Sequence, residues 1–127
     1  MPKDQITTSR GAAPSGPYSQ GISAGGFVFV AGQGAFDPET DELVGETIEE
    51  QTERTIENVK AILEAGGASL ADVVKATVHL SDLSLFPRYN EVYSRYFSDP
   101  RPARTTVGSA LAHGMMVEIE VIAYTGR

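Results

Sequence analysis

A guanidinium followed at short range by two carboxylates on an alternating stretch is the part of this sequence best equipped for chemistry. Arg104 lies in Arg104-Thr105-Thr106-Val107-Gly108, and Glu118 and Glu120 lie in Met116-Val117-Glu118-Ile119-Glu120-Val121-Ile122-Ala123. The second stretch alternates, so Val117, Ile119, Val121 and Ala123 share one side of a strand while Met116, Glu118, Glu120, Ile122 and Tyr124 share the other. If the two stretches form a terminal antiparallel pair, Arg104 or Thr106 becomes a cross-strand neighbour of the carboxylates, and a fixed cation stands near a proton acceptor on a rigid platform. Such a pair could hold an anion and move a proton. A solvated cross-strand ion pair satisfies the same spacing.

The other candidates stand alone. Ala13-Pro14-Ser15-Gly16-Pro17-Tyr18-Ser19-Gln20 restricts the backbone around Tyr18, which suits either a substrate-holding loop or ordinary packing. Gly32-Gln33-Gly34 closes an apolar run and permits close approach of a ligand or another backbone. It is not a dinucleotide fingerprint, because no helix opens there and the third glycine is missing. His79 falls on a mixed strand face, as a base or simply as a hydrogen-bonded side chain. With His113 the other histidine and no cysteine in the chain, no metal-ligand spacing exists and no metal is expected.

The elements that must position these residues are legible in the periodicity. Residues 1–16 show no period and are expected to run over the surface. Phe27-Val28-Phe29-Val30-Ala31, between Gly25-Gly26 and Gly32, reads as a buried strand. Thr47-Ile48-Glu49-Glu50 matches a capping box and opens a helix whose core stripe is Ile48, Thr52, Thr55, Ile56, Val59, Ile62 and Leu63, stopped by Gly66-Gly67. Asp72 to Leu80 alternates again, with Val74, Ala76, Val78 and Leu80 on one face and Val73, Lys75, Thr77 and His79 on the other. A second helix is expected from Ser84, capped by its hydroxyl, with Pro87 in the first turn and a stripe of Phe86, Tyr89, Tyr93, Tyr96 and Phe97. Asp99-Pro100-Arg101-Pro102 ends it. The order predicts one α+β domain over residues 1–127, a sheet with two helices on one face. The opposite face, carrying Lys75, Thr77, Glu118, Glu120, Val73, Met116 and Ile122, is too apolar for open water and too charged for a core, which fits an oligomer interface.

Composition narrows the partners. The chain has 127 residues and a formal charge of −7, which repels phosphate backbones unless a basic patch overrides it, and none is visible. The densest charge, Asp37 to Glu57, is mostly acidic and reads as a solvated loop and helix face. A polar start and the lack of 18 consecutive apolar residues predict neither signal peptide nor membrane span. The missing cysteines agree with a reducing compartment, and a cytoplasmic setting is expected.

Taken together, several segments resemble the RidA/YjgF family of reactive-intermediate deaminases over nearly the whole length. They are Gly16-Pro17-Tyr18-Ser19-Gln20, Ala31-Gly32-Gln33, Asn58-Val59-Lys60-Ala61-Ile62-Leu63, Tyr89-Asn90 with Tyr93, Arg101-Pro102-Ala103-Arg104, and Val117-Glu118-Ile119-Glu120. The resemblance implies a chorismate-mutase-like α+β fold in a homotrimer with clefts between subunits. It also implies cofactor-free hydrolysis of enamines and imines, such as 2-aminoacrylate, 2-iminopropanoate and 2-iminobutanoate from pyridoxal-phosphate-dependent dehydratases, to 2-oxo acids and ammonia. By the same resemblance Arg104 holds the substrate carboxylate, Glu118 orients or deprotonates the attacking water, Tyr18 closes the pocket, Asn90 is a neighbouring polar contact, and Gly32 a backbone contact. Two positions depart from the common pattern: Ala31 replaces a serine and Thr106 a cysteine, with the Thr106 backbone N–H still available.

Two further functions fit the same features. One is a binding or regulatory protein for small carboxylates, or an RNA-directed activity, against which the net charge speaks. The other, pericyclic chemistry of the chorismate mutase type, rests on fold analogy alone.

Overall fold

Alternation and helical periodicity resolve into six strands and two helices. The structure, a computed structural model, describes residues 2–126. In chain order the elements are β1 (Asp4–Ile6), β2 (Gly21–Ala24), β3 (Phe27–Gln33), α1 (Ile48–Ala65), β4 (Val73–Leu80), α2 (Phe86–Tyr96), β5 (Ala103–Gly108) and β6 (Val117–Tyr124). The strands form one mixed sheet in the order β1-β2-β3-β6-β4-β5. All neighbours are antiparallel except β4 and β5, which are parallel and joined through α2, as a parallel pair requires. No helix among the described residues is long and apolar enough to cross a membrane.

The first helix follows from its sequence. Thr47 Oγ1 accepts from the Glu50 amide at 3.1 Å and Glu50 Oε1 accepts from the Thr47 amide at 3.2 Å, closing the capping box. Gly66 caps the other end, and Gly67 adopts a φ of +82° that side chains avoid. Every residue of the expected stripe is buried. With Tyr89, Tyr93 and Phe97 of the second helical segment, it covers Val28, Val30, Ala76, Val78, Ile119 and Val121 on one face of the sheet.

Several expectations fail for local reasons. A register shift between Val73 and Lys75 puts Val73 in the core and leaves Val74 exposed, the reverse of strict alternation. Ser84 does not cap the second helix. Asp82 accepts from the Ser84 amide at 2.8 Å and starts a short 3₁₀ turn that runs into α2, where Pro87 sits in the first turn. The N-terminal segment is not wholly irregular, since β1 pairs with β2 and buries Ile6. Nor is β3 buried on both sides: Val28 and Val30 enter the core, while Phe27 and Phe29 stay exposed on the far face.

The expected antiparallel pair of the last two strands does not form. β6 inserts between β3 and β4, and β4 separates it from β5. The far face of the sheet displays Phe27 packed on Tyr124 at 4.9 Å between ring centroids, together with Lys75, Thr77, His79, Glu120 and Ile122, none of them buried. Of the residues expected there, Val73 and Met116 instead pack against the core.

Candidate active site in two clefts

Arg104 occupies the helix side of the sheet. Its register partner is Ala76, a core residue, and its side chain leans over α2. There Nη1 donates to Asn90 Oδ1 at 2.7 Å. The guanidinium lies 4.7 Å from the Tyr93 ring centroid and 5.5 Å from those of Phe86 and Tyr89, a cation on aromatic faces. These rings are the helix stripe read from the sequence, so one periodic pattern both fills the core and seats the cation. Tyr89 shares a hydrogen bond with Thr106 Oγ1 at 2.9 Å. Burial pushes the Tyr93 phenol up to about 12, against the nearby guanidinium charges, and its hydroxyl has no partner in the described structure. Arg104, Asn90, Tyr93, Ser94, Arg101 and Pro102 line a cleft of about 420 Å³ that contains no carboxylate.

Glu118 occupies the other side. It pairs in register with His79 on β4, and its flanking residues Val117 and Ile119 are buried towards the helices, so its carboxylate projects from the far face. On β3 the register shifts between Val30 and Gln33, a bulge that brings Gly32 against the carboxylate. A Cβ on Gly32 would lie 2.6 Å from Glu118 Oε2, so the glycine is a steric requirement of the glutamate. The bulge is tied down by the Ala31 amide donating to the Gln20 carbonyl at 2.9 Å and by Gln33 Nε2 donating to the Ala31 carbonyl at 3.0 Å. The buried Gln20 side chain also grips the N-terminal arm, accepting from the Thr8 amide and donating to the Thr8 and Ala12 carbonyls at 2.8 to 3.0 Å. Asn58 of α1 donates to the carbonyls of Gly34 and Phe36 at 3.1 and 2.8 Å. Between arm and bulge opens a second cleft, of about 370 Å³, lined by Tyr18, Gly32, Phe36, His113, Met115 and Glu118 among others.

One chain therefore brings together Glu118, Gly32 and Tyr18 in one cleft and Arg104 and Asn90 in another, but not the two sets. Arg104 and Glu118 are not side by side, because β4 lies between their strands and their side chains leave opposite faces of the sheet. Thr106 belongs to neither lining, its hydroxyl held by Tyr89. His79 is hydrogen-bonded, its Nδ1 2.7 Å from Ser109 Oγ, and lies outside both linings. The sequence reading missed Arg101 and His113 as lining residues. His113 reaches the cleft from a turn at φ +60° and sets its ring edge on Phe36 at 6.3 Å; no local pattern announces it. Among the described residues no group of three or more His, Cys, Asp or Glu is clustered to hold a metal.

Fold and clefts define a two-layer α+β protein with an arginine-lined cleft on one side of its sheet and a glutamate-lined one on the other. The chain belongs to the family described as Endoribonuclease L-PSP, the RidA/YjgF family, whose model matches residues 8–125. It is 55% identical over 98% of both chains to a RutC family protein of Pyrococcus abyssi. It is 39% identical, over 95% of each chain, to the 2-iminobutanoate/2-iminopropanoate deaminase of Dermatophagoides farinae. The crystal structure of RidA from the Antarctic bacterium Psychrobacter superposes with a TM-score of 0.92 at 48% identity, covering 95% of this chain and 98% of that one.

Proposed function

We propose that the protein hydrolyses small 2-imino and 2-enamino acids to 2-oxo acids and ammonia, in sites completed between copies of the chain. The observation that carries this reading is the division of labour between the clefts. An acid-free cleft presents a planar guanidinium, suited to a planar carboxylate. The other presents a glutamate pressed against a glycine bulge, where a water could be held and deprotonated. Kinship with a protein named as a 2-iminobutanoate/2-iminopropanoate deaminase supports this choice of substrate class.

In this mechanism Arg104, steadied by Asn90 and the aromatic rings beneath it, binds the C1 carboxylate. The enamine takes a proton from solvent at C3 and becomes the protonated imine. Glu118 of a neighbouring copy removes a proton from water as the oxygen attacks C2, and Gly32 lets the carboxylate sit close to the backbone there. The carbinolamine collapses when its nitrogen takes that proton from Glu118 and its hydroxyl proton passes to solvent: the C=O bond forms, the C–N bond breaks and ammonia leaves. Tyr18 covers the pocket from its restricted loop. No cofactor takes part, and the substrate arrives from pyridoxal-phosphate-dependent dehydratases. A homotrimer built on the uncovered sheet face, with its Phe27 and Tyr124 rings, apposes the two clefts.

The test adds the purified protein to a dehydratase acting on serine or threonine and follows the transient enamine by its ultraviolet absorbance. Faster decay is expected. Glu118→Gln, which keeps size and removes the base, slows it by about 10²-fold or more while leaving 2-oxo acid binding intact. Arg104→Ala weakens both. Decay at the uncatalysed rate with the parent protein, or a Glu118→Gln variant as fast as the parent, refutes the reading.

A further inference from the structure

Arg101 shares the cleft of Arg104, and the reaction proposed above makes no use of it. Its Nε donates to the Phe97 carbonyl at 2.8 Å. That bond fastens the stem to the end of α2 and leaves the terminal nitrogens of the guanidinium to meet an anion. Its ion-pair partner, Asp99, lies 3.7 Å from Nη1 with a side chain that is 90% exposed, a weak competitor in water. In a chain of net charge −7, two arginines thus converge on one cleft whose lining contains no acid. The three residue steps from Arg101 to Arg104 span at most about 10 Å, so their side chains can meet the two ends of one small ligand. The fields of both also reach the Tyr93 phenol, where they oppose the effect of its burial.

We infer that Arg101 determines specificity by selecting ligands with a second carboxylate on the side chain. These are four- and five-carbon 2-imino and 2-oxo diacids, in preference to monocarboxylates. Arg104 takes the C1 carboxylate and Arg101 the terminal one. The bonds made and broken are those already described: C=N and water give C=O and ammonia, with the terminal carboxylate a spectator. The inference rests on the reading of Arg104 as the carboxylate anchor.

Calorimetric titration with stable ligands tests it without turnover. The probes are 2-oxoglutarate, its side-chain dimethylamide, which lacks the second charge and, having no N–H, cannot close onto the 2-oxo group, and 2-oxobutanoate. The parent protein should bind the diacid about tenfold or more tighter than the amide. Arg101→Gln should erase that preference while leaving 2-oxobutanoate affinity within about twofold, and Arg101→Lys should keep part of it, since charge remains and the planar fork is lost. Equal binding of diacid and amide by the parent overturns the inference. So does an Arg101→Gln variant that weakens all three ligands alike, which would mark Arg101 as a brace for the end of α2. No binding of any of the three overturns both this inference and the anchor role of Arg104. Diacid preference without imine hydrolysis would sink the catalytic reading alone, and hydrolysis of 2-iminobutanoate without diacid preference would sink this one alone.

Discussion

Mixing two inactive variants offers the sharpest check on where the site lies. Arg104→Ala removes the cation, and Glu118→Gln removes the base. In one chain these residues leave opposite faces of the sheet, Arg104 beside the core residue Ala76 and Glu118 beside His79, so each working site must draw its arginine and its glutamate from different copies. When the two variants are unfolded together in equal amounts and refolded, the arginine donor of a site is intact half the time and so, independently, is the glutamate donor. About a quarter of the sites in a closed ring are then complete. Each variant alone should fall to about a hundredth of parental imine hydrolysis or less, so the mixture should exceed either by at least about 25-fold. The assay is enamine decay, with sedimentation to confirm that the refolded mixture has the mass of the parent assembly. A mixture no more active than its components, at that mass, refutes a site shared between copies.

Other outcomes follow from single contacts. Gly32→Ala forces a methyl group to within 2.6 Å of Glu118 Oε2, so kcat should fall by about tenfold or more with little change in 2-oxo acid affinity; a parental kcat would show that the carboxylate needs no such seat. The folded chain holds the Tyr93 proton to about pH 12, whereas the unfolded chain releases it near 10. The stabilisation is therefore complete below pH 10 and disappears between about 10 and 12, by up to about 3 kcal/mol. Urea unfolding at pH 9 and 11 should show about half of this fall, and Tyr93→Phe should reduce the pH dependence without removing it, because the Tyr96 phenol is also pushed up to about 12 and that of Tyr89 is raised by burial. Despite the ribonuclease in the family's description, a net charge of −7 predicts only weak, salt-sensitive RNA binding; a complex near 10⁻⁸ M in physiological salt, measured by fluorescence anisotropy, would contradict that.

What the sequence revealed and what it hid divide along the range of the interactions. The capping box at Thr47, the stripe of α1 and the alternation of β6 are set by residues a few positions apart, and all three appear as expected. Arg104 and Glu118 were recognisable as candidate groups from their residue types. Their relation was not, because sheet order is decided by contacts between distant segments, and the short link from β5 to β6 gives no sign that the chain steps over β4. Bulges hide in the same way. One extra residue at Val74 swaps the sides of Val73 and Val74 while the rest of β4 keeps its faces, and the bulge before Gln33 brings Gly32 to Glu118, though neither carries a local mark beyond a glycine. Asp82 displaced Ser84 as cap because both are good acceptors two positions apart, and only the path of the chain decides between them.

The central place of β6 also governs the order in which the fold can be made. The strands β1 to β3 and the β4-α2-β5 unit touch one another in the sheet only through this last strand. On the ribosome, two half-sheets with open edges must wait for residues 117–124 before either acquires its neighbour, and an unpaired edge is a template for aggregation. Such late, non-local closure slows folding. It also delays the carboxylate pocket, since Glu118 arrives on the strand that joins the halves.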